Sequence, residues 1–356
     1  MPLMRITIIS LALVVAAGCS DSSSDTSTSS ESSETTQAAA VEESVSDFAG
    51  LVDIGGGRKI YMECQGKGSP TGVFLSGGAD RAETWSKTDD PSQQAVLPAI
   101  AETNRVCAYD RPGTILATGE GIEDFEPSRS DPVPQPTTLQ DGARDLHALL
   151  SASGERGPYV VVGHSLGGAI AKLYASEYPR EVSGLVLVDY LPYQARNALT
   201  DDEWELWKNP LLGSASEEAL AIYPDLEQND NQQNFEQDSA ADALKPMPLI
   251  VLRSDEPFDF TPLLEDGSLP MTVEQAKEFL EVLRRAWGNA VAAVVRSVPG
   301  ARVITETHSG HYIHWEQPQL VTDSVREVVE AARKKSCALG VKNHGQCIKA
   351  EKHARQ

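Results

Sequence analysis

Tyr159-Val160-Val161-Val162-Gly163-His164-Ser165-Leu166-Gly167-Gly168-Ala169 joins two different periodicities in eleven residues. Up to Gly163 the chain is a short continuous apolar run, the pattern of a strand buried on both faces. After Ser165 the apolar residues Ile170, Leu173 and Tyr174 fall at helical spacing. Between them lies G-x-S-x-G, a strand-to-helix turn so tight that glycines are wanted on both sides, with the serine at its apex in strained geometry. That placement lifts the hydroxyl of Ser165 out of the packed layers. It also aims the backbone N–H of Leu166, at the start of the helix, at any negative charge built beside the serine. Ser165 is therefore the candidate nucleophile. A plain glycine turn with an N-capping serine is the blander alternative.

Composition limits the partners. The 356 residues include 52 Asp or Glu against 30 Lys or Arg, a formal net charge of −22. Phosphate binding needs a basic face, so no nucleic-acid partner is expected. The acidic surface would also repel anionic substrates, a weak preference. The length suits one large domain with an insertion behind a non-globular N-terminus.

The N-terminus reads as a targeting signal over residues 1–18. Arg5 supplies the positive region, Ile6 to Ala17 the apolar core, and Ala16-Ala17-Gly18 the small residues of a cleavage site. Cys19 follows, so the segment resembles a bacterial lipoprotein signal, with Cys19 the lipidated first residue of the mature chain. The expected location is then the outer face of the cell membrane, held by acyl chains on that residue; plain secretion is the alternative. Residues 19–46 are almost all Ser, Thr, Asp, Glu and Ala, which cannot bury enough apolar area to offset ordering entropy, and are expected to form a disordered tether.

Four further cysteines remain: Cys64, Cys107, Cys337 and Cys347. An even number in an exported chain suggests two disulfides, for which sequence alone permits three pairings. Cys64–Cys107 and Cys337–Cys347 are the preferred ones. Residues 334–356 read as a basic C-terminal tail with no assignable role.

The alternation of strands and helices from Phe48 onward implies a mostly parallel sheet covered on both faces. Phe48 to Cys64 reads as two strands around Gly55-Gly56-Gly57, and Ile115 to Pro136 as irregular. The alternation lapses from Tyr190 to about Leu244, an acidic, helix-prone segment carrying Leu191, Trp204, Leu206, Trp207, Leu211 and Leu212. It resumes at Leu249-Ile250-Val251-Leu252, and Leu320 to Ala332 reads as a closing amphipathic helix.

A serine hydroxyl needs a neighbouring base that is itself oriented by an acid. Ser309-Gly310-His311-Tyr312-Ile313-His314 follows the last strand, and Gly310 frees the loop to aim His311 back over the sheet edge. His308, His311 and His314 also have a spacing that invites a zinc reading, but no H-E-x-x-H accompanies it and a serine is waiting. His311 is the expected base.

Together these pieces resemble an α/β-hydrolase over roughly residues 47–333. The resemblance rests on the Gly163–Gly167 elbow, Tyr109-Asp110-Arg111-Pro112-Gly113, Leu185-Val186-Leu187-Val188-Asp189, and Gly310-His311 with Glu316 and Pro318 beyond. It implies an eight-stranded, doubly wound, mostly parallel sheet with a helical lid inserted after the sixth strand, at about 190–246. It also implies that the second and fourth strands are neighbours, which places Cys64 beside Cys107.

Two departures from the family pattern matter. Ser76-Gly77 stands where His-Gly is usual, and the backbone N–H of Gly78 is the expected second oxyanion donor beside that of Leu166. The acid of the triad has two candidates. Many relatives place it several residues past the seventh strand, which points to Asp255 or Glu256; others use a carboxylate directly after the sixth, the position of Asp189. Asp255 is preferred, with Asp189 the alternative. Asp110 and Arg111 are expected to form a structural ion pair bracing loops near the site.

The expected activity is serine hydrolysis of carboxylesterase or lipase type, on an ester rather than an amide, through an acyl-enzyme. It requires no metal and no organic cofactor. A peptide or carbon–carbon hydrolase of the same fold is the nearest alternative, and a non-catalytic binding lipoprotein the rival from another class. The expected partners are a small acyl substrate and, through Cys19, a membrane; the chain is expected to be a monomer.

Overall fold

The structure is a computed structural model that describes residues 46–119, 121–208, 216–256, 260–265, 267, 269 and 271–338. The signal and tether, Cys19, and the Cys337–Cys347 pairing fall wholly or partly outside those residues. Among them, no helix is long and apolar enough to cross a membrane.

Eight strands form one sheet: β1 (Phe48–Gly55), β2 (Arg58–Gln65), β3 (Gly72–Leu75), β4 (Val106–Tyr109), β5 (Tyr159–His164), β6 (Val182–Val188), β7 (Leu249–Leu252) and β8 (Arg302–Ile304). Their spatial order is β1-β2-β4-β3-β5-β6-β7-β8. β2 runs antiparallel to both of its neighbours, and every other pairing is parallel. The register of β2 on β4 puts Cys64 directly opposite Cys107, and the two are joined in a disulfide.

Strand periodicity explains the continuous apolar runs. Along β5, Val161 joins one core cluster while Val160 and Val162 join the other; along β6, Leu185 and Leu187 face the side opposite to Val186 and Val188. Alternate residues point to opposite faces, so a strand covered on both sides must be apolar throughout. One layer is built from α2 (Leu139–Ala152), α3 (Ser165–Glu177) and α8 (Val273–Ser297), the other from α1 (Val96–Ala101) and α10 (Pro318–Ala338).

Between β6 and β7 lie a 3-10 turn at Tyr193–Ala198 and the short helices α4 (Asp201–Leu206), α5 (Glu217–Ile222) and α6 (Asn231–Ala240). The 3-10 turn packs on α6 and on α8, the 25-residue helix that follows the short α7 (Thr261–Glu265) between β7 and β8. The sequence reading misses a small ribbon in the supposedly irregular stretch, Ile115–Ala117 against Phe125–Pro127. The closing helix α10 runs to Ala338, so residues 334–338 belong to it and not to a tail.

Candidate active site

β5 ends at His164 and α3 begins at the very next residue, Ser165, whose φ is +50°. Such a conformation costs a residue with a side chain roughly 1–3 kcal/mol and persists only where its surroundings fix it. Here they do. A Cβ on Gly163 would sit 2.5 Å from the carbonyl oxygen of Gly167, and one on Gly167 would sit 2.2 Å from that of Ser76. The first turn of α3 is thus pressed against both its own strand and the end of β3. The Ser165 carbonyl accepts the Leu191 N–H at 3.0 Å, tying the elbow to the segment after β6.

His311 lies in the loop from β8 to α9 (Ile313–Glu316). Its Nδ1 is 2.7 Å from Oδ2 of Asp189, the residue directly after β6. The other oxygen of that buried carboxylate accepts the Ser254 N–H at 3.0 Å. With Nδ1 donating to the carboxylate, Nε2 is the nitrogen left with a lone pair, the tautomer a general base needs. His311 and Ser165 border the same cavity, about 240 Å³ in volume.

The preference for Asp255 is therefore corrected. Its Oδ1 accepts the Ser309 N–H and the Thr307 hydroxyl, each at 3.1 Å, so it braces the loop that carries His311 instead of touching the ring. Those hydrogen bonds, led by the one from Ser309, hold its carboxyl below the usual range. Asp189, by contrast, leaves β6 with φ at +38° and has its carboxylate on the imidazole directly after the strand.

The three histidines of this loop go to three different places. The His308 side chain is 83 % exposed, His311 meets Asp189, and His314 is fully buried with Nε2 3.2 Å from the Thr84 hydroxyl. A fourth histidine, missed from the sequence, lies beneath them. His164, inside the G-x-S-x-G itself, is buried with Nε2 3.0 Å from the His311 carbonyl oxygen, so it donates there and supports the backbone of His311. Burial lowers the pKa of His164 well below its ordinary value and that of His314 to about 3.

Asp110 and Arg111 do brace loops, but not by pairing with each other. Asp110 takes Arg129 at 2.7 Å. Arg111 pairs with the buried Glu227, from the stretch between α5 and α6, at 2.7 and 2.9 Å. The same guanidinium donates to the carbonyls of Ser76 (2.7 Å) and Gly77 (2.6 Å), and Glu227 accepts the Ala79 N–H at 2.7 Å. One ion pair therefore fixes the backbone on both sides of Gly78. Gly78 faces Leu166, whose Cδ2 would be 3.8 Å from a Cβ built on it. Nothing local marks Glu227 in the sequence, since its stretch has neither strand nor helix periodicity.

The cavity wall is mostly apolar: Leu191, Trp207, Phe260, Leu280, Leu283 and Trp287. Its charged members besides Asp189 are Arg253, Arg284 and Glu256.

Comparison with known proteins agrees with this architecture. Residues 73–324 match the model of the alpha/beta hydrolase family. An AB hydrolase superfamily protein of Gibberella zeae is 22% identical over 301 residues, covering 74% of this chain and 87% of that one. RutD of Cronobacter turicensis, named for carbamate hydrolysis, is 31% identical over 122 residues, 34% of this chain; the match spans only 38% of that relative. Among solved structures, the α/β-hydrolase-fold protein ALR0039 of Nostoc sp PCC 7120 aligns with 79% of this chain and 97% of its own at a TM-score of 0.51 and 14% identity, a likeness of fold alone. With more than half of its length matching the family model, this chain belongs to the alpha/beta hydrolase family.

Proposed function

We propose that this hydrolase cleaves a carboxylic ester through an acyl-enzyme on Ser165. The observation that carries the reading is the Asp189–His311 contact at 2.7 Å, with the imidazole bordering the cavity that Ser165 also borders. His311 Nε2 takes the hydroxyl proton as Ser165 Oγ bonds to the carbonyl carbon. Asp189 holds the ring in that tautomer and stabilises the imidazolium. The oxyanion is held by the N–H groups of Leu166 and Gly78, each such donor being worth ~10²–10³ in rate. His311 then protonates the leaving oxygen, the C–O bond breaks, and a water activated by the same imidazole releases the acid and restores Ser165.

An ester is favoured over an amide because the apolar wall offers area to an acyl or alkoxy chain and little to a peptide backbone. The experiment is labelling with a fluorophosphonate probe. Reaction that disappears in Ser165→Ala supports the reading; a folded wild-type protein that takes no label overturns it and leaves a binding protein with a hydrolase fold. We further propose that the enzyme acts outside the cell, tethered through lipid on Cys19. The protein should then sediment with membranes, and Cys19→Ala should release it.

A further inference from the structure

Arg253, the first residue after β7, is the most unusual charge near the cavity. Its Nη2 donates to the Arg284 carbonyl of α8 at 2.7 Å. Its Nη1 lies where a Cβ on Gly288 would be only 2.8 Å away, so the glycine leaves the passage by which the guanidinium reaches the wall under α8. No carboxylate forms an ion pair with it among the described residues. The contrast with Arg111 is instructive. Glu227 offsets the burial of Arg111 and its pKa rises, whereas burial lowers that of Arg253. A guanidinium has five N–H donors in a fork suited to a carboxylate, and one hydrogen bond to a carbonyl leaves most of them for a ligand. Arg284 borders the same cavity and, among the described residues, its side chain pairs with the exposed Glu281 alone at 3.3 Å, a weak surface pair. Two acids border this region: Glu256 is exposed, and Asp189, whose charge acts on Arg253 against the effect of burial, is engaged by His311 and the Ser254 N–H.

We propose that Arg253, assisted by Arg284, receives a carboxylate carried by the acyl chain of the substrate, so that the preferred esters are half-esters of short dicarboxylic acids. This deepens the acyl-transfer reading and rests on it. The methylene chain would lie on Leu280, Leu283 and Trp287 while the free carboxylate meets the fork. The net charge of −22 argues weakly the other way. At physiological salt, however, repulsion is screened beyond about 8 Å, and the cations inside the cavity decide.

The test compares 4-nitrophenyl hexanoate with the 4-nitrophenyl monoester of adipic acid, which have equal chain length and end in methyl or carboxylate. The wild-type enzyme should favour the adipate in kcat/KM by about tenfold or more, the worth of one charge-assisted pair. The ratio should shrink as sodium chloride is raised, collapse in Arg253→Met chiefly through KM, and recover in part in Arg253→Lys. A wild-type preference for hexanoate, or a ratio unmoved by both salt and Arg253→Met, overturns the proposal. If neither ester is hydrolysed faster than by Ser165→Ala, the acyl-transfer reading is what has failed. Anion recognition is then read separately, by titrating Trp207 and Trp287 fluorescence with adipic acid monoamide against hexanamide. Binding of the monoamide that needs Arg253 upholds recognition, and equal or absent binding ends it.

Discussion

The Asp189 carboxylate lies 2.7 Å from His311 Nδ1 although 122 residues separate them in sequence. The contact exists because β6 and β7 are neighbours and β8 closes the sheet beside them, so the ends of these strands deliver a carboxylate and an imidazole to one edge. Asp255 lies on the same edge, three residues past β7, and serves the backbone of the histidine loop instead.

The two carboxylates should separate cleanly on substitution. Asp189→Asn leaves a group of the same shape that no longer enforces the reactive tautomer, and kcat for a 4-nitrophenyl ester should drop by about 10⁴. Asp255→Asn should keep activity within about an order of magnitude and mainly lower the melting temperature, because it loses a loop brace. Equal losses in both variants would refute the assignment of Asp189.

Which of the two acids meets the ring was not legible in the sequence, and the reason is geometric. Both follow a strand, and nothing local says that the backbone at Asp189 turns at φ +38°. What was legible is whatever burial dictates residue by residue. Val160 to Val162 must be apolar between two layers, Gly163 and Gly167 must lack side chains at the elbow, and Gly310-His311 must follow the last strand. The Ile115–Ala117 ribbon escaped because its strands are three residues long in a stretch full of Pro, Gly and acids. Glu227 and Arg253 escaped because their meaning lies in distant partners, Arg111 and the α8 backbone.

The Arg111–Glu227 pair should matter to rate as well as stability. Glu227→Ala strands a buried guanidinium, which typically costs 3–5 kcal/mol. It also removes the acceptor for the Ala79 N–H and half of the clamp around Gly78. Loosening Gly78, the proposed oxyanion donor, should then lower kcat by ~10²–10³ with little change in KM. Glu227→Gln, which keeps most of the hydrogen-bonding shape, should lose less of both. A kcat unchanged in folded Glu227→Ala would show that the clamp plays no part in catalysis.

The Cys64–Cys107 disulfide closes a separation of 43 residues between two buried positions. Chain entropy assigns about 4 kcal/mol to a loop of that size. The double variant Cys64→Ala/Cys107→Ala should unfold at a lower urea concentration and with a steeper slope, because the bridge no longer holds its unfolded chain compact. Because both sulfurs are buried, reductant alone should act slowly on the folded protein.

Acid should destabilise the fold through the histidines beneath the site, opposed by carboxylates whose burial raises them, Asp80 foremost. Burial lowers His164 well below its ordinary pKa, with His314 and His311 adding to the effect, and lowers His314 to about 3, with His311 adding. The unfolded chain takes up a proton on each near pH 6.5 and the folded chain does not, so stability falls as pH drops through about 6.5. Asp80 acts in the opposite sense. Burial raises its carboxyl to about 6, with Arg111 the largest opposing influence, and one of its oxygens has no hydrogen-bond partner. The folded state thus binds a proton on Asp80 between about pH 6 and 4 that the unfolded state does not, and stability gains on acidification. The loss of stability on acidification is therefore led by His164 and His314, and Asp80 offsets part of it as the pH falls through about 6. Urea unfolding at fixed pH values should show this loss in the wild type. His314→Gln should flatten the slope by about one proton, and Asp80→Asn should steepen it while raising stability at pH 7. If Asp80→Asn flattens the slope instead, the carboxyl is not held protonated by its burial, and the account of the charges around Asp80 fails.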